Sequence, residues 1–582
     1  MRHDQVTRWG RGLDPAHVLG EHPRPQLVRD SWLSLNGWWD HAITRADASA
    51  PTAYDGPILV PFSPEAPLSR VGRQLQPDEQ LTYRRRVEVP EALVPPGGRL
   101  LLHFGAVDQT CTVRVDGVEV GRHVGGYLPF SCEVTDALGS GSGELVVEVR
   151  DLSDGHQHAS GKQRLRRGGI WYTAQSGIWQ TVWLEAVPRL HVDRLTLVPH
   201  LEDDCLEVTV HGSPGSAGSA RVVLDGTVTT VEVGTPTRIP VRDVHLWSPE
   251  DPHLYDLEVL LGEDRVRSYA GMRSVGVGED AQGVPRLLLN GAPYLHVGVL
   301  DQGYWPDGLL TAPSDAAMVH DITTMRDLGF TMLRKHLKIE PLRWYHHCDR
   351  LGMLVWQDFV NGGGRYRTAA VTWPGRYPIR LDDTRRHALM GRADPAGKDL
   401  FLDEARSTVE HLRSVTSVVV WVPYNEGWGQ FDANAVADEV HDLDPARVVD
   451  HASGWHDQGG GDLRSLHVYG RRFRMPARRA DDRPVVLSEY GGRQLRVEGH
   501  AFDDEVGVGY GDEPTGRSLA QWFTELHRGL AAAVGAGLSG TVFTQLSDVE
   551  DELNGLLTYD REVLKIDAPT VRAALGLLRA GE

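Results

Sequence analysis

The sequence predicts a multidomain protein in which a jelly-roll β-sandwich and an immunoglobulin-like β-sandwich precede a (β/α)8 TIM barrel. Up to about residue 188, short β-branched runs alternate with turns, and a second all-β stretch follows from Leu190 to Val275. After about Gly276, apolar strands alternate with segments of helical period. A chain of 582 residues is also too long for a single hydrophobic core. We therefore expect three domains, at 1–189, 190–278 and 279–582.

The first two domains are predicted from their strands and turns. Residues 112–115 and 118–120 are β-branched runs, and Asp116-Gly117 between them is a strong hairpin signal. Further strands are expected at 99–104, 144–149 and 181–185, with no convincing helix between them. This pattern is typical of a β-sandwich or jelly roll. The second stretch has about 90 residues, which suits an immunoglobulin-like sandwich.

The barrel is predicted from four apolar stripes of helical period and eight candidate strands. The stripes are Met318, Ile322, Met325 and Leu328; Leu402, Ala405, Val409 and Leu412; Val436, Val440 and Leu443; and Leu519, Phe523, Leu526 and Leu530. Ser314 is placed to cap the first helix and Gly329 to end it. The strands are expected to end near Leu300, Arg334, Gln357, Val422, Asp450, Tyr469, Ser488 and Gln545. Between the fifth and seventh strands the sequence resembles loops more than helices. Eight strands with helices between most of them nevertheless match a (β/α)8 barrel.

Composition and charge exclude several classes of function. Hydrophobic residues make up 41% and charged residues 24%, as in a globular protein. The formal net charge of −20 disfavours nucleic acid and anionic membranes as partners. The four cysteines match neither a disulfide framework nor a zinc ribbon. Residues 1–11 lack the apolar segment of a secretory signal peptide, and no run of 18 apolar residues occurs that could span a membrane. We therefore expect a cytoplasmic protein.

Two predicted barrel strands finish in glutamate. The fourth, 418–422, runs into Asn425-Glu426-Gly427-Trp428, and the seventh, 485–487, runs into Ser488-Glu489-Tyr490. Active sites of such barrels are built at the carboxyl ends of strands. One such glutamate could equally be a solvated loop charge, but two across one pocket are what cleavage of a glycosidic bond requires. We therefore predict Glu426 and Glu489 as a catalytic pair.

Several longer segments resemble glycoside hydrolase family 2. SWLSLNGWWD from Ser31, FGAVDQTCTVRVDGVEVGRHVGGYLPF from Phe104 and SGIWQTVWLE from Ser176 are similar to its sugar-binding jelly roll. LWSPEDPHLYDLEV from Leu246 and LNGAPYLHVGV from Leu289 are similar to the joints that lead from its immunoglobulin-like domain into its barrel. The resemblance covers about residues 20 to 580. It implies a retaining exo-glycosidase with two glutamates.

The resemblance also implies roles for single residues. Glu426 resembles the acid/base and Glu489 the nucleophile, while Asn425 resembles the asparagine that holds the sugar 2-hydroxyl. Arg334 and Tyr469 resemble residues that support the nucleophile, although a surface arginine and a packed aromatic are the alternatives. From the residues alone, His336 and His467 could bond sugar hydroxyls or be satisfied polar histidines. The aromatic candidates to stack on a sugar, each equally suited to the core, are Trp428, Trp455 and Trp305.

The sequence leaves the sugar open. His336 follows Arg334 by two positions, whereas the family often has a spacing of three positions between these residues. The eighth strand ends in Gln545, where the family commonly has tryptophan. No Asn-x-Lys occurs, which weakens the β-glucuronidase interpretation. A β-galactosidase-like activity is preferred by family frequency, with a furanosidase, an arabinosidase or a β-glucosidase as alternatives. The rival of another class is a non-catalytic carbohydrate-binding protein.

The expected partner is a small-molecule or oligosaccharide substrate, without nucleic acid or membrane, and a homo-oligomer stays open. We expect no cofactor and no metal. His346, His347 and Cys348 are consecutive on a predicted helix, so they face different ways and make poor joint ligands.

Overall fold

The computed structural model describes residues 5–139, 141–375, 377, 379–477, 481–503 and 505–579. Two β-sandwiches precede a barrel of eight parallel strands, which confirms the predicted fold class. Each sandwich encloses a hydrophobic cluster of its own. The barrel has one cluster within its ring of strands and a larger one that includes its helices.

The first sandwich is built from two main sheets. Its strands are β1 (Trp32–Ser34), β2 (Gly37–Arg45), β3 (Gly56–Val60), β4 (Glu79–Glu88), β5 (Arg99–Phe104), β6 (Val107–Asp108), β7 (Thr110–Val115), β8 (Val118–Val124), β9 (Phe130–Glu133), β10 (Ser142–Arg150), β11 (Gln163–Arg164), β12 (Tyr172–Thr173), β13 (Gly177–Ile178) and β14 (Val182–Val187). One sheet has the order β1-β14-β5-β9 and the other β3-β2-β4-β10-β7-β8. The predicted hairpin joins β7 to β8, and Asp116 and Gly117 both have the positive φ that its tight turn requires.

The second sandwich follows directly. Its strands are β15 (Val192–His200), β16 (Cys205–Gly212), β17 (Ser219–Leu224), β18 (Thr227–Glu232), β19 (Thr237–Pro240), β20 (Tyr255–Leu261) and β21 (Asp264–Ala270), in sheets β15-β16-β19 and β18-β17-β20-β21. A small sheet of β22 (Val275–Glu279), β23 (Pro285–Leu289) and β24 (Ala292–Pro293) leads into the barrel. The domain boundaries stay predictions; the first falls between β14 and β15, and the second falls within β22.

Eight parallel strands form the barrel in the order β29-β28-β27-β26-β25-β32-β31-β30. They are β25 (His296–Asp301), β26 (Met332–Lys335), β27 (Leu354–Asp358), β28 (Val418–Val422), β29 (Val448–Val449), β30 (Arg464–Tyr469), β31 (Val485–Gly491) and β32 (Leu538–Thr544). Each ends within three residues of its predicted end. Among the described residues, no helix separates β29, β30 and β31, as the loop-like sequence there indicated.

The helices contain the four predicted stripes. They are α1 (Arg8–Arg11), α2 (Asp315–Leu328), α3 (Leu342–Leu351), α4 (Thr368–Val371), α5 (Pro395–Leu412), α6 (Ala433–Leu443), α7 (Gly516–Gly535) and α8 (Ala568–Arg579). The Ser314 side chain accepts from the backbone of Ala317 and caps α2, and Gly329 ends it with φ of 103°. None of these described helices combines the length and apolar character that a membrane crossing needs.

Segments of both sandwiches dock on the barrel through hydrogen bonds to backbone carbonyls of the barrel. The N–H groups of Ser160 and Gly161 donate to the Asn361 carbonyl, beyond the end of β27, at 2.9 and 3.0 Å. The Trp247 indole donates to the Asp349 carbonyl of α3 at 2.7 Å.

The four cysteines are buried and free, as the spacing predicted.

Candidate active site

Glu426 lies in a tight turn beyond the end of β28. Its backbone adopts φ of 51°, a left-handed conformation that costs free energy for any residue other than glycine. Its N–H donates to the carbonyl of Ser453, and the N–H of Trp428 donates back to the carbonyl of Asn425, both at 2.9 Å. These bonds stabilise the unusual turn and aim the carboxyl group across the mouth of the barrel.

Glu489 lies within β31, so a regular strand positions it. The Tyr469 hydroxyl donates to its Oε2, and Arg334 donates from Nη1 to its Oε1 at 3.2 Å. Tyr469 also contacts the hydroxyl of Thr544 at 3.0 Å. Both carboxylate oxygens of Glu489 are therefore held, one by a donor from the neighbouring strand β30 and the other by a donor from β26.

The two carboxyl groups lie close together with one imidazole between them. His467 Nδ1 is 3.0 Å from Glu426 Oε1, and its Nε2 is 3.6 Å from Glu489 Oε1. One oxygen of Glu426 and one of Glu489 lie within 4.8 Å of each other. Carboxyl groups about 5 to 5.5 Å apart are typical of retaining glycosidases, whereas inverting enzymes separate them by more than about 6.5 Å.

The surroundings drive the two pKa values apart. Burial raises the pKa of the Glu426 carboxyl, and the charge of Glu489 opposes its ionisation further, which outweighs the bond from His467. Burial also acts to raise the pKa of Glu489, but His467 and Arg334 overcome this effect and hold that pKa below its ordinary value. One group is thus set up to keep a proton and the other to remain ionised.

Arg334 connects the residues around Glu489. The side chain is fully buried and donates to both oxygens of Asp358, at 2.9 and 3.1 Å. Its Nη2 donates to Asn425 Oδ1 at 2.8 Å. Because an arginine can only donate, the amide oxygen of Asn425 must face it, and the amide NH2 is left to donate elsewhere.

His336 is fixed by the same aspartate. Its Nδ1 lies 2.6 Å from Asp358 Oδ2. Burial, assisted by the charge of Lys162, holds the pKa of His336 well below its ordinary value, so the imidazole is neutral near pH 7. The proton then lies on Nδ1, facing the carboxylate, and Nε2 becomes an acceptor suited to a hydroxyl group.

The remaining predicted site residues are divided between the mouth of the barrel and the core. The Trp428 ring lies 6.2 Å from that of His336, and the Trp455 ring 5.4 Å from that of His467. Trp305 belongs to the core cluster and packs against Trp9 and Arg561. Gln545 follows β32, is fully buried and donates to Asn554 Oδ1 at 2.7 Å.

The structure also brings in residues that sequence analysis missed. Asp358 is the last residue of β27, one position beyond the predicted end of that strand, so a boundary shifted by one would have revealed it. Tyr510 stacks on Tyr469 at 3.9 Å between ring centres. Lys162 belongs to the first sandwich and Glu552 to the segment after β32, and no local pattern joins them to the site.

A metal could in principle use part of this arrangement. Glu426, His467 and Glu489 place one ligand atom each within 4.8 Å of one another, the single such group among the described residues. Two of the three are the carboxyl groups that the acid and nucleophile roles would occupy. The expected absence of a metal therefore stays a prediction.

Comparison with known proteins identifies the class. The sequence model of glycosyl hydrolases family 2 matches residues 190–273, and the model of the family's TIM barrel domain matches residues 311–562. The chain belongs to glycoside hydrolase family 2, as its resemblance implied.

Curated relatives carry the names of two activities. A β-galactosidase of Photobacterium profundum is 26% identical over 403 residues, covering 64% of this chain and 35% of that protein. A putative β-glucuronidase of Formosa agariphila is 26% identical over 279 residues, covering 44% of this chain and 32% of that protein. The chain thus spans about a third of the length of these relatives.

Solved structures share the fold along nearly the whole chain. A β-galacturonidase of Eisenbergiella tayi bound to galacturonate superimposes with a TM-score of 0.71 at 18% identity, covering 96% of this chain and 99% of that one. A β-glucuronidase of Bifidobacterium dentium in complex with coumarin-3-O-glucuronide gives 0.73 at 18% identity, covering 95% and 98%. At these identities the likeness establishes the fold alone.

Proposed function

We propose that the chain is a retaining exo-glycosidase that removes a terminal non-reducing sugar by double displacement. The observation that carries the proposal is the approach of Glu426 and Glu489 to within 4.8 Å, with their pKa values shifted in opposite directions. Retaining chemistry needs one ionised nucleophile and one protonated acid at this spacing.

In the first step, ionised Glu489 attacks the anomeric carbon and forms an ester, while Glu426 gives its proton to the departing glycosidic oxygen. Loss of the negative charge on Glu489 removes one cause of the raised pKa of Glu426, which becomes a base. In the second step, Glu426 takes a proton from water, whose oxygen attacks the anomeric carbon and releases Glu489. Two inversions leave the configuration unchanged.

Three neighbours would support these steps. The Tyr469 hydroxyl, whose pKa is raised well above its ordinary value chiefly by burial, stays protonated and donates to Glu489. Arg334 holds the other oxygen of the nucleophile and fixes the amide of Asn425. The free amide NH2 of Asn425 is suited to bind the sugar 2-hydroxyl, where hydrogen bonds strengthen in the transition state.

For the sugar, we propose a β-galactosidase-like specificity, in line with the names of two curated relatives, from Photobacterium profundum and Thermoanaerobacter pseudethanolicus. Furanosides, arabinosides and β-glucosides are the alternatives. A β-glucuronide is favoured by the names of several structural neighbours, but the chain lacks Asn-x-Lys.

A panel of 4-nitrophenyl glycosides tests the proposal. We expect the wild-type protein to hydrolyse at least one glycoside, with retention of configuration by NMR of the first-formed product, and Glu489→Ala to lose this activity. Binding of sugars without turnover of any substrate would instead favour the carbohydrate-binding alternative. Product of inverted configuration would contradict the mechanism.

A further inference from the structure

Lys162, from the first sandwich, is brought to the mouth of the barrel by a close backbone contact. Gly161 before it adopts φ of 56°, and a Cβ there would lie 3.0 Å from the Leu337 carbonyl oxygen and 3.2 Å from the Tyr127 hydroxyl. A glycine is needed for this approach. With Gly161 bonded to the Asn361 carbonyl, the next residue is delivered to the loops of the barrel.

The side chain of Lys162 is largely buried, with its ammonium group beside two aromatic rings. The residue is 7% exposed, and its Nζ lies 5.4 Å from the centre of the Tyr172 ring and 5.8 Å from that of Trp428. Its nearest carboxylate oxygen, Glu552 Oε2, is 4.0 Å away, which is too long for a hydrogen bond. No described group accepts a hydrogen bond from Nζ. The N–H donors of the ammonium group are thus left for an oxygen atom bound in the pocket.

Glu552 is held firmly on the other side of this gap. Its Oε2 accepts from the Tyr172 hydroxyl, and its Oε1 accepts from Asn554 Nδ2 at 3.0 Å. A carboxylate oxygen can accept more than one hydrogen bond. A hydroxyl group placed between the two residues could therefore accept from Nζ and donate to Oε2 at once.

The pair lies beside the residues at the mouth of the barrel, since Nζ is 5.8 Å from the centre of the Trp428 ring, which lies 6.2 Å from that of His336. After burial, the charge of Lys162 is the next cause that lowers the pKa of His336. The same charge slightly opposes the rise in the pKa of Glu426, for which burial is the main cause. Burial raises the pKa of the Tyr510 hydroxyl, and the charges of Glu426, Glu552 and Glu489 raise it further.

We infer that Lys162 and Glu552 form a hydroxyl-binding pair that selects a neutral glycone and rejects a uronate. The inference rests on the proposed glycosidase function and names the substrate class of that site. A uronate carboxylate at Nζ would lie beside the Glu552 carboxylate without a second cation. Two arginines that could supply such a cation are already paired. Arg334 donates to Asp358 and Glu489, and Arg167 donates to Asp551 at 2.9 Å. A hydroxyl group carries no such repulsion.

The test compares a neutral aryl hexopyranoside with the uronide of the same configuration. We expect wild-type kcat/KM to be at least tenfold higher on the neutral substrate. Lys162→Met should lower kcat/KM on that substrate tenfold or more. Glu552→Gln should shrink the ratio of neutral to uronide activity at least tenfold, because it removes the charge that repels the carboxylate. A matched control is Lys398→Met, whose Nζ contacts His387 at 2.8 Å, and it should keep wild-type kinetics.

Two further measurements separate recognition from a structural effect. One monodeoxy substrate should be hydrolysed poorly by the wild type and lose almost no further activity with Lys162→Met, because it lacks the hydroxyl group that Lys162 would bind. The alkaline limb of the Lys162→Met pH profile should also move to higher pH, since a positive charge near Glu426 is gone. Equal losses on every deoxy substrate with an unmoved limb would overturn the inference.

A wild-type preference for the uronide that disappears in Lys162→Met would also overturn it, because Lys162 would then be a carboxylate clamp. If no glycoside is hydrolysed, the proposed function has failed, and calorimetry still tests the pair. A neutral aldonolactone should then bind the wild type more tightly than a uronic-acid lactone does, and Lys162→Met should weaken it. Equal binding of both lactones would reject the pair.

Discussion

Arg334 and Asp358 form a buried ion pair with two hydrogen bonds, at 2.9 and 3.1 Å, behind the proposed nucleophile. Burial opposes the charge on Arg334, but Asp358 and Glu489 raise its pKa above the ordinary value. The pair fixes the plane of the guanidinium, and this plane directs Nη1 to Glu489 and Nη2 to Asn425. Asp358 is therefore a positioning residue for both.

The first prediction concerns this pair. Asp358→Asn should lower kcat by about 100-fold, the effect expected when a reacting group is misplaced by about 1 Å. Because a negative charge near Glu489 is lost, the acid limb of the pH profile should move to lower pH. The control is Asp349→Asn, at a buried aspartate bonded to Tyr269 and Ser417, which should leave that limb in place. An unchanged limb in Asp358→Asn would reject the positioning role.

The second prediction separates the two glutamates. Glu426→Ala should still form the glycosyl-enzyme from a dinitrophenyl glycoside, whose leaving group needs no proton, but not from an alkyl glycoside. Azide should accelerate its second step and give the glycosyl azide of retained configuration. Glu489→Ala with azide should give the inverted azide, because the anion attacks from the vacated face. The inverted product from Glu426→Ala would exchange the assignments, and wild-type rates in both variants would refute the site.

The third prediction concerns pH. The active form has Glu489 ionised and Glu426 protonated, so kcat/KM should fall as pH drops through the lowered pKa of Glu489. It should also fall as pH rises through the raised pKa of Glu426. With a dinitrophenyl glycoside, Glu426→Gln should abolish the alkaline limb and keep the acid limb. A persisting alkaline limb would mean that another group titrates there.

The fourth prediction concerns metal. The proposed steps need only a nucleophile and a proton donor, and neither requires a Lewis acid. Activity should therefore survive exhaustive chelation, measured after dialysis against EDTA and again after Mg²⁺ is added back. A large loss that Mg²⁺ restores would assign a ligand role to the group of Glu426, His467 and Glu489.

The fifth prediction concerns stability where the two sandwiches meet. Arg29 is buried and donates to Asp264 at 2.7 and 2.9 Å and to Glu185 at 3.0 Å. Breaking a buried pair costs about 3 to 5 kcal/mol, because a charge is left without its partner. Arg29→Met should thus unfold at clearly lower temperature or urea concentration, whereas the exposed Arg267→Met should not.

The effect of Arg29→Met should depend on pH in a defined direction. Burial acts to raise the pKa of Glu185, but Arg24, His103 and Arg29 together hold it below the ordinary value of 4.5. The resulting stability is present above pH 4.5 and is lost as pH falls below it. The difference between the wild type and Arg29→Met should therefore narrow in acid, and a constant difference would contradict this account.

The sequence by itself determined the architecture and paired the two glutamates at the centre of the candidate site. Residue periodicity depends on local backbone geometry, so the four helical stripes and the cap at Ser314 could be read directly. Parallel strands of a barrel bring their carboxyl ends to one face, so Glu426 and Glu489 could be paired although 62 residues separate them in the sequence. Family resemblance added Arg334, Asn425 and Tyr469, and all three lie around this pair.

Only the tertiary structure decided the rest. Trp305 and Trp428 look alike in sequence, yet one packs in the core and the other lies at the mouth of the barrel, because burial depends on contacts distant along the chain. Lys162 and Glu552 are 390 positions apart on different units, and no periodicity relates them. The pKa shifts of the two glutamates likewise arise from burial and neighbouring charges, which exist only once the chain has folded.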